Sequence, residues 1–407
     1  MTMLRALLDK SLRIGRLEVT FADGQSRSYG DGTGPAVGVR LTRAGERGLI
    51  ANPRRGFGEA YVNGDLVVTE GGLWDLLEVI GRNQIEVAPP RGILPRLIRA
   101  ARNRLDQRND RAAARRNVAH HYDLPLDFYR RFLDEDLQYS CAYFAAPDMS
   151  LEEAQASKKA LLAAKLDLSP GQRVLDIGCG WGGLALELAG RHQVEVSGIT
   201  LSAEQLAVAT ARAEAAGLAG HARFDLRDYR DVRGPFDRIV SVGMLEHVGR
   251  PNLDAFFRQV RRLLADDGVA VIHAIGNYGP PRDSQPFIRK HIFPGGYIPS
   301  LSEVAAAVEN SGLWINDIEI LRLHYAETLR HWRQRFLDER STIAALYDER
   351  FCRMWEAYLC MSEAAFRYFN CMVFQLQLTK RVDVLPLTRD YIYQPAQRRR
   401  IQAVAGG

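Results

Sequence analysis

A mixed α/β fold, with a parallel sheet wrapped by helices, is predicted by three observations. From Pro170 onward, short apolar runs of strand character alternate with amphipathic helical stretches. The first of those strands runs straight into a glycine turn, Val174-Leu175-Asp176-Ile177-Gly178-Cys179-Gly180-Trp181-Gly182-Gly183. A separate unit over residues 1–90, with its own strand signals, precedes the alternation and ends at Pro89-Pro90. At 407 residues, two domains are the natural expectation.

In chain order, Leu17-Glu18-Val19-Thr20-Phe21 alternates as a strand and leads into the turn Ala22-Asp23-Gly24, and Val37-Gly38-Val39-Arg40-Leu41 reads as a second strand. Residues 52–67 are glycine-rich, and a helix is expected near 73–80. Residues 91–117 read as a basic amphipathic linker helix. Beyond Pro170, strands are expected at 173–177, 195–200, 221–226, 236–242 and 269–275, with helices at 182–190, 202–216 and 252–265 between them. After Ser300 come a helix to Asn310, a strand near 314–323, long helices over 327–368 and a closing strand over 370–382. The aromatics of the long helices, among them Trp332, Phe336, Trp355, Tyr358 and Phe366, are most simply core, and lining an apolar substrate tunnel is a secondary use of the same surface. Ligands of such sheets bind at the C-terminal strand ends near the switch point, where the glycine turn lies.

Glycines suit that turn because the backbone bends sharply and approaches a ligand where a Cβ would collide. The run Gly178-x-Gly180-x-x-Gly183 also fits a dinucleotide fingerprint, which wants an acid at the tip of the next strand. That strand ends Gly198-Ile199-Thr200-Leu201-Ser202 and carries none. The acid instead precedes the glycines, at Asp176, the pattern of S-adenosylmethionine methyltransferases. Thr200, Ser202 and Gln205 offer neutral hydrogen bonds, and Asp228-Tyr229 follow the third strand, where an adenine ring would lie.

Composition is that of a globular chain, 46% hydrophobic and 25% charged, with no apolar run near the ~18 residues of a membrane span. Residues 1–14 lack the apolar core of a signal peptide, so a cytoplasmic protein is expected. Cysteines 141, 179, 352, 360 and 371 are odd in number and form no CxxC, so neither a disulfide framework nor a structural metal site is expected. Net charge is only +5, yet residues 91–116 hold nine arginines against two aspartates. With Ile93, Leu94, Leu97 and Ile98 on one stripe, this segment suits an anionic membrane surface or a solvated linker helix. It lacks the interleaved aromatics of a nucleic-acid binder, and no nucleic-acid partner is expected.

Several longer motifs occur in order: His121-Tyr122-Asp123-Leu124, Gln138-Tyr139-Ser140-Cys141-Ala142-Tyr143-Phe144, Asp228-Tyr229-Arg230-Asp231, Ser241-Val242-Gly243-Met244-Leu245-Glu246-His247, His273-Ala274-Ile275-Gly276 and Ile292-Phe293-Pro294-Gly295-Gly296. With the glycine turn, they make the chain resemble the cyclopropane-fatty-acyl-phospholipid synthase family, which includes the mycolic acid cyclopropane synthases. The resemblance runs from residue 118 to the end, and residues 1–90 resemble the N-terminal domain of the bacterial phospholipid enzymes. It implies a Rossmann-like class I methyltransferase domain at 118–390, with a seven-stranded sheet and a helical lid. It also implies a small N-terminal α+β lipid-binding domain at 1–90 and a tail at 391–407.

The resemblance implies methyl transfer from S-adenosylmethionine to the cis double bond of a phospholipid acyl chain, followed by proton loss as a cyclopropane closes. It implies a bicarbonate ion as the late base, held by Cys141, Glu246, His273, the backbone of Ile275, and Tyr325. Tyr139, Ser140, Asp176, Gly178, Gly180, Gly182, Thr200, Ser202, Gln205, Asp228 and Tyr229 would contact the cofactor. Tyr143 or Phe144 would face the carbocation, and His247 would support its loop. The expected setting is the cytoplasmic face of a membrane, bound peripherally, with a homodimer possible. Two departures stand out. Pro125-Leu126 replace a polar pair, and Ser362 stands where some relatives carry a cysteine, so Cys352, Cys360 and Cys371 receive no catalytic role. Methyl or methylene branching of lipid, small-molecule N-methylation, and a cofactor-sensing membrane module without turnover remain as alternatives.

Overall fold

The computed structural model describes residues 3–85 and 124–393. The basic segment 91–116, the motif residues His121, Tyr122 and Asp123, and the tail beyond Tyr393 lie outside the described residues.

The first unit opens with α1 (Met3–Ser11), β1 (Arg16–Thr20), β2 (Ser26–Tyr29) and β3 (Ala36–Leu41). It continues with α2 (Arg43–Ala51), α3 (Pro53–Asn63), β4 (Leu66–Glu70) and α4 (Leu73–Arg82). Its four strands pair in the order β2-β1-β3-β4, with β1 and β3 parallel. The alternation of Leu17 and Val19 turns both inward onto Val37, Val39 and Leu76. The glycine-rich stretch is helix α3. Asn52 caps it by accepting from the Arg55 N–H, Pro53 fills its first turn, and Gly64 ends it at φ +76°.

The second unit begins with a short turn, α5 (Leu126–Tyr129), and α6 (Leu151–Leu166). Strands and helices then alternate: β5 (Arg173–Ile177), α7 (Gly183–His192), β6 (Glu195–Thr200), α8 (Ala203–Ala215), β7 (Ala222–Leu226) and β8 (Phe236–Val242). Next come α9 (Leu253–Leu263), β9 (Leu264–Asn277), α10 (Pro286–His291), α11 (Leu301–Ser311) and β10 (Trp314–Leu321). The chain closes with α12 (His324–Asp338), α13 (Arg340–Leu346), α14 (Glu349–Tyr368), β11 (Cys371–Thr379) and α15 (Asp390–Tyr393). The seven strands lie in the order β10-β11-β9-β8-β5-β6-β7. Only β11 among them runs against its neighbours. This is the seven-stranded α/β sheet expected. Strand order reverses at β5, so the turn after Ile177 sits at the switch point.

Helix α14 is the wall between the units. Trp355, Tyr358 and Phe366 enter the aromatic core of the second unit, while Ala357, Cys360 and Ala364 pack into the core of the first. Two glycines of the first unit allow the close approach. A Cβ on Gly58 would lie 2.5 Å from the ring of the fully buried Phe287, and one on Gly81 would lie 2.4 Å from the Tyr368 ring. Polar ties surround this contact: the Tyr61 hydroxyl donates to Glu356 at 2.9 Å, and Lys290 donates to Glu59 at 2.7 Å.

Gly58→Ala is therefore expected to overpack the contact and cost about 1–3 kcal/mol, read as a melting temperature lower by several degrees. Gly48→Ala, also helical but with only Gly56 Cα at 3.9 Å, should be neutral or stabilise by about 0.5–1 kcal/mol. Equal thermal shifts for the two variants would refute the close-packing account.

Candidate functional site

Two cavities lie over the C-terminal ends of the sheet. The first, of about 110 Å³, is lined by Gly178, Gly180, Thr200, Gln205, Asp228 and Tyr229. Gly178 and Gly180 adopt φ of +85° and +54°, a left-handed backbone that glycine tolerates. The Thr200 hydroxyl donates to Gln205 Oε1 at 2.7 Å, and Ser202 caps α8 by accepting from the Gln205 N–H at 3.3 Å. Asp228 is buried and accepts from the Arg230 guanidinium at 2.8 and 2.6 Å. Tyr229 is braced edge-on by Phe256.

Three residues expected at the cofactor stand behind this cavity and do not line it. Gly182 packs on α8, where a Cβ would lie 2.9 Å from that of Ala209. Ser202 is the helix cap just described. Asp176 is 2% exposed, its Oδ2 has no hydrogen-bond partner among the described residues, and burial pushes its carboxyl up to about 7.

The second cavity, of about 160 Å³, gathers Cys141, Glu246, His273, Ile275 and Tyr325. Tyr139 and Ser140, expected at the cofactor, line this cavity instead. The two cavities meet at Gly243 and His247, which line both. Glu246 Oε1 accepts from the Ile275 N–H at 2.5 Å, so the backbone donor expected to face an anion is engaged by this carboxyl. Glu246 Oε2 has no hydrogen-bond partner among the described residues, and burial raises its carboxyl to about 7. Burial pushes His273 well below the ordinary imidazole range, so the ring is neutral. The Gln375 amide nitrogen stands 3.0 Å from His273 Nδ1. Donating there, it makes Nδ1 the acceptor and keeps the ring proton on Nε2. Burial raises the Cys141 thiol, which donates to the Ala142 carbonyl and is no thiolate. His247, pushed down to about 4 by burial, packs edge-on against Phe293.

The aromatic expectation needs correcting. Tyr143 stacks on His324 at 4.8 Å and Phe144 on His331 at 5.6 Å, and neither lines either of these two cavities. Both are held by α12, through His324 at its start and His331 about two turns on. The aromatic rings that line the second cavity are Tyr139, Phe293, Tyr297, Tyr325, Tyr358 and Phe366. Ser362 and Cys371 line it too, and burial holds the Cys371 thiol up at about 12.

Sequence reasoning missed Lys158. It is fully buried on α6, donates to Ser140 Oγ at 2.9 Å and to Gln138 Oε1 at 2.5 Å, and is lowered by burial to about 8. One turn earlier, Gln155 donates to the Ser140 carbonyl at 2.9 Å. Together they fix the segment that carries Cys141. The available signal was the capping box Ser150-x-x-Glu153, which announces α6.

A family model described as Mycolic acid cyclopropane synthetase matches residues 109–376, and one described as a Domain of unknown function (DUF7884) matches residues 3–88. The cyclopropane-fatty-acyl-phospholipid synthase of Escherichia coli (strain K12) is 43% identical over 263 residues, 65% of this chain and 67% of that protein. The tuberculostearic acid methyltransferase UfaA1 of Mycobacterium tuberculosis is 37% identical over 382 residues, 89% of this chain and 88% of that one. Among solved structures, mycolic acid cyclopropane synthase CmaA1 complexed with SAH and CTAB superposes with a TM-score of 0.62 at 35% identity. That match covers 65% of this chain and 97% of CmaA1.

Both raised carboxyls carry a consequence for stability. Between the ordinary glutamate value of 4.5 and about 7, the folded chain holds a proton on Glu246 that the unfolded chain has released. The same holds for Asp176 between 3.8 and about 7. These two groups therefore lower stability as pH rises through that window, while His247 and His273, held neutral by burial, act in the opposite sense. Glu246→Gln, which keeps the acceptor for Ile275, is expected to remove the share of Glu246, so that its melting temperature relative to wild type rises between about pH 5 and 8. A difference that stays constant over this range would show that Glu246 is not held protonated.

Proposed function

The chain belongs to the mycolic acid cyclopropane synthetase family of S-adenosylmethionine-dependent methyltransferases, and from that premise we propose that it is a cyclopropane-fatty-acyl-phospholipid synthase. The observation that carries the reading is the convergence of Cys141, Glu246, His273, Ile275 and Tyr325 on one cavity that touches the glycine-turn cavity. In the reaction the S–CH3 bond breaks as one olefinic carbon bonds the methyl. The resulting carbocation then loses a methyl proton as the second ring bond closes.

Bound at the glycine turn, S-adenosylmethionine supplies the electrophilic methyl group. The residues present suit it: Gly178 and Gly180 let the backbone approach, Thr200 and Gln205 offer neutral partners, and behind them Asp176 keeps a buried oxygen without a partner among the described residues. An alkene has no proton to lose before it attacks, so the chain needs no activated nucleophile. Positioning and exclusion of water are the main tasks. Tyr139, Tyr325, Tyr358 and Phe366 wall the second cavity, and each ring that faces the cation stabilises it by about 0.5–2 kcal/mol.

Bicarbonate, held by Cys141, Glu246, His273 and Tyr325, would supply the base for the ring-closing proton. A carboxylate beside that anion would repel it. Raised to about 7, Glu246 can keep Oε1 on the Ile275 N–H and donate an O–H from Oε2. Neutral His273 adds a donor at Nε2. Methyl branching without ring closure is the second reading, favoured by the long match to a tuberculostearic acid methyltransferase, and it requires a hydride donor. The arginines of 91–116 support peripheral attachment to an anionic membrane face.

Incubation with cis-unsaturated phospholipid vesicles, methyl-labelled S-adenosylmethionine and bicarbonate is expected to add one CH2 unit, with loss of the olefin by NMR. A retained olefin would indicate a methylene branch, and label in an amine with none in lipid would overturn the reading. Glu246→Gln should abolish turnover with S-adenosylmethionine affinity changed by no more than about threefold. Neutralising arginines between 91 and 116 should weaken binding to anionic vesicles, and wild-type binding should fall as salt rises.

A further inference from the structure

We propose that Lys158 is a positioning residue for an anionic carboxyl group in the second cavity: its ammonium donates to Ser140 Oγ and so leaves the Ser140 O–H to that anion. This rests on the reading of the second cavity as the reaction space, and it names what that space holds besides the acyl chain. Lys158 is fully buried on α6 and lines neither of the two cavities, so it acts through another residue. An ammonium has donors and no acceptor. At 2.9 Å from Ser140 Oγ it therefore donates, and the hydroxyl keeps its own proton for another partner. Ser140 lines the second cavity, where that partner would sit. Gln155 holds the same residue from its carbonyl side at 2.9 Å. Lys158 also donates to Gln138 Oε1 at 2.5 Å, and the Gln138 N–H is tied to Asp134 at 2.8 Å. The Ser140 donor is thus set by the fold before a ligand arrives.

The occupant that suits this wall carries negative charge on oxygen. Ser140 adds a hydroxyl donor to the Nε2–H of His273 and the Oε2–H of protonated Glu246, and several donors facing one space want a charged acceptor. The Lys158 ammonium adds to the attraction. The charged and titratable groups around it are Asp134 and Asp136 before α6, Lys159 on its own helix, Cys141, Asp176 on β5 and His273 on β9. Asp136 is engaged by Lys159, at 2.6 Å, and by Arg212. Asp134 accepts from the Asp136 and Gln138 N–H groups. Among the described residues no carboxylate bonds to the Lys158 ammonium, whose acceptors Gln138 Oε1 and Ser140 Oγ are neutral. Its charge therefore stays available to an anion just beyond Ser140. Two groups have that chemistry: the carboxylate at the methionine end of S-adenosylmethionine, and bicarbonate.

The test is titration calorimetry of the full chain with S-adenosylhomocysteine, which has the amino-acid carboxylate, and with methylthioadenosine, which lacks it. Lys158→Met keeps an unbranched stem and removes the charge. At about pH 7 it is expected to bind S-adenosylhomocysteine at least about tenfold more weakly than wild type, with methylthioadenosine within about twofold. That result assigns the anion to the methyl donor. Unchanged S-adenosylhomocysteine affinity with bicarbonate binding weaker by at least about tenfold, read by NMR line broadening of isotope-labelled bicarbonate, assigns it to bicarbonate. Loss of neither, or equal loss on both adenosines, would overturn the inference. Ser140→Ala should lose as much on the same probe, and the double variant no more than about twofold beyond either single one. Losses that multiply would show that Lys158 does not act through Ser140. If Lys158→Met does not fold, the wild type carries the test. Burial lowers Lys158 to about 8, so raising pH from about 7 to 9 gives it a lone pair that can take the Ser140 proton. Affinity for that probe should then fall more steeply in wild type than in Ser140→Ala, and equal slopes would overturn the inference. No lipid enters these readouts, so the inference can fail while a cyclopropane product is found, and can stand while none is.

Discussion

The hydrogen bond from the Ile275 N–H to Glu246 Oε1 joins the loop after β8 to the end of β9, at the place where the two cavities meet. It holds one carboxylate oxygen and leaves the other to the cavity, in surroundings too dry to stabilise the anion. The sheet assembles what surrounds it. Register sets Val242 of β8 against His273 of β9, and His273 against Gln375 of β11. The imidazole and the amide that fixes its tautomer therefore follow from strand pairing, and the acid stands in the short turn just after β8. A slip of one residue would turn His273 to the other face and dissolve the group.

The helices complete the site from outside the sheet. Tyr325 comes from α12 and stands edge-on to Trp332 and tilted on Phe366 of α14. Cys141 comes from the segment before α6, which Gln155 and Lys158 hold from beneath. The Lys158 ammonium is costly to bury, and Asp134 and Asp136 offset part of that cost. Helix α14 then couples the site to the N-terminal unit, since its aromatic face lines the cavity and its small-residue face lies against that unit. A displacement of the N-terminal unit would move a wall of the reaction space.

Much of the sheet was legible because buried parallel strands read as apolar runs with glycine or polar stops. The strands at 173–177, 195–200 and 236–242 fall where the pattern put them. Strand β9 starts earlier, at Leu264, which pairs with Phe236; residues 265–268 bulge out of the ladder before Val269 resumes it opposite Arg238. Helix α3 was hidden by Gly56 and Gly58, which look like loop residues. Its caps Asn52-Pro53 and Gly64 were present, and the glycines serve close helix contact. Helix α6 was hidden for the opposite reason: Gln155, Lys158, Lys159 and Lys165 are buried with the apolar residues, so no stripe marks an inward face. The sequence resemblance brought Cys141, Glu246, His273, Ile275 and Tyr325 into one set, and the structure places all five on one cavity. Tyr143 and Phe144, expected to face the carbocation, lie next to Cys141 in sequence. Nearness said nothing of direction, and the histidines His324 and His331 took both rings.

Burial has a chemical meaning beyond packing for the reaction proposed. A carbocation is trapped by any anionic nucleophile within reach, and a carboxylate would capture it as an ester, a thiolate as a thioether. The second cavity holds a carboxyl, Glu246, and two thiols, Cys141 and Cys371, each raised by burial toward its protonated form. The same desolvation excludes the water that would convert the cation to an alcohol. Aromatic rings replace that water with faces that attract positive charge without bonding to it. What must remain is one base able to take a single proton late, and protonated Glu246 with neutral His273 can hold such an anion by donating to it. An interior that disfavours charge thereby selects among the fates of a charged intermediate.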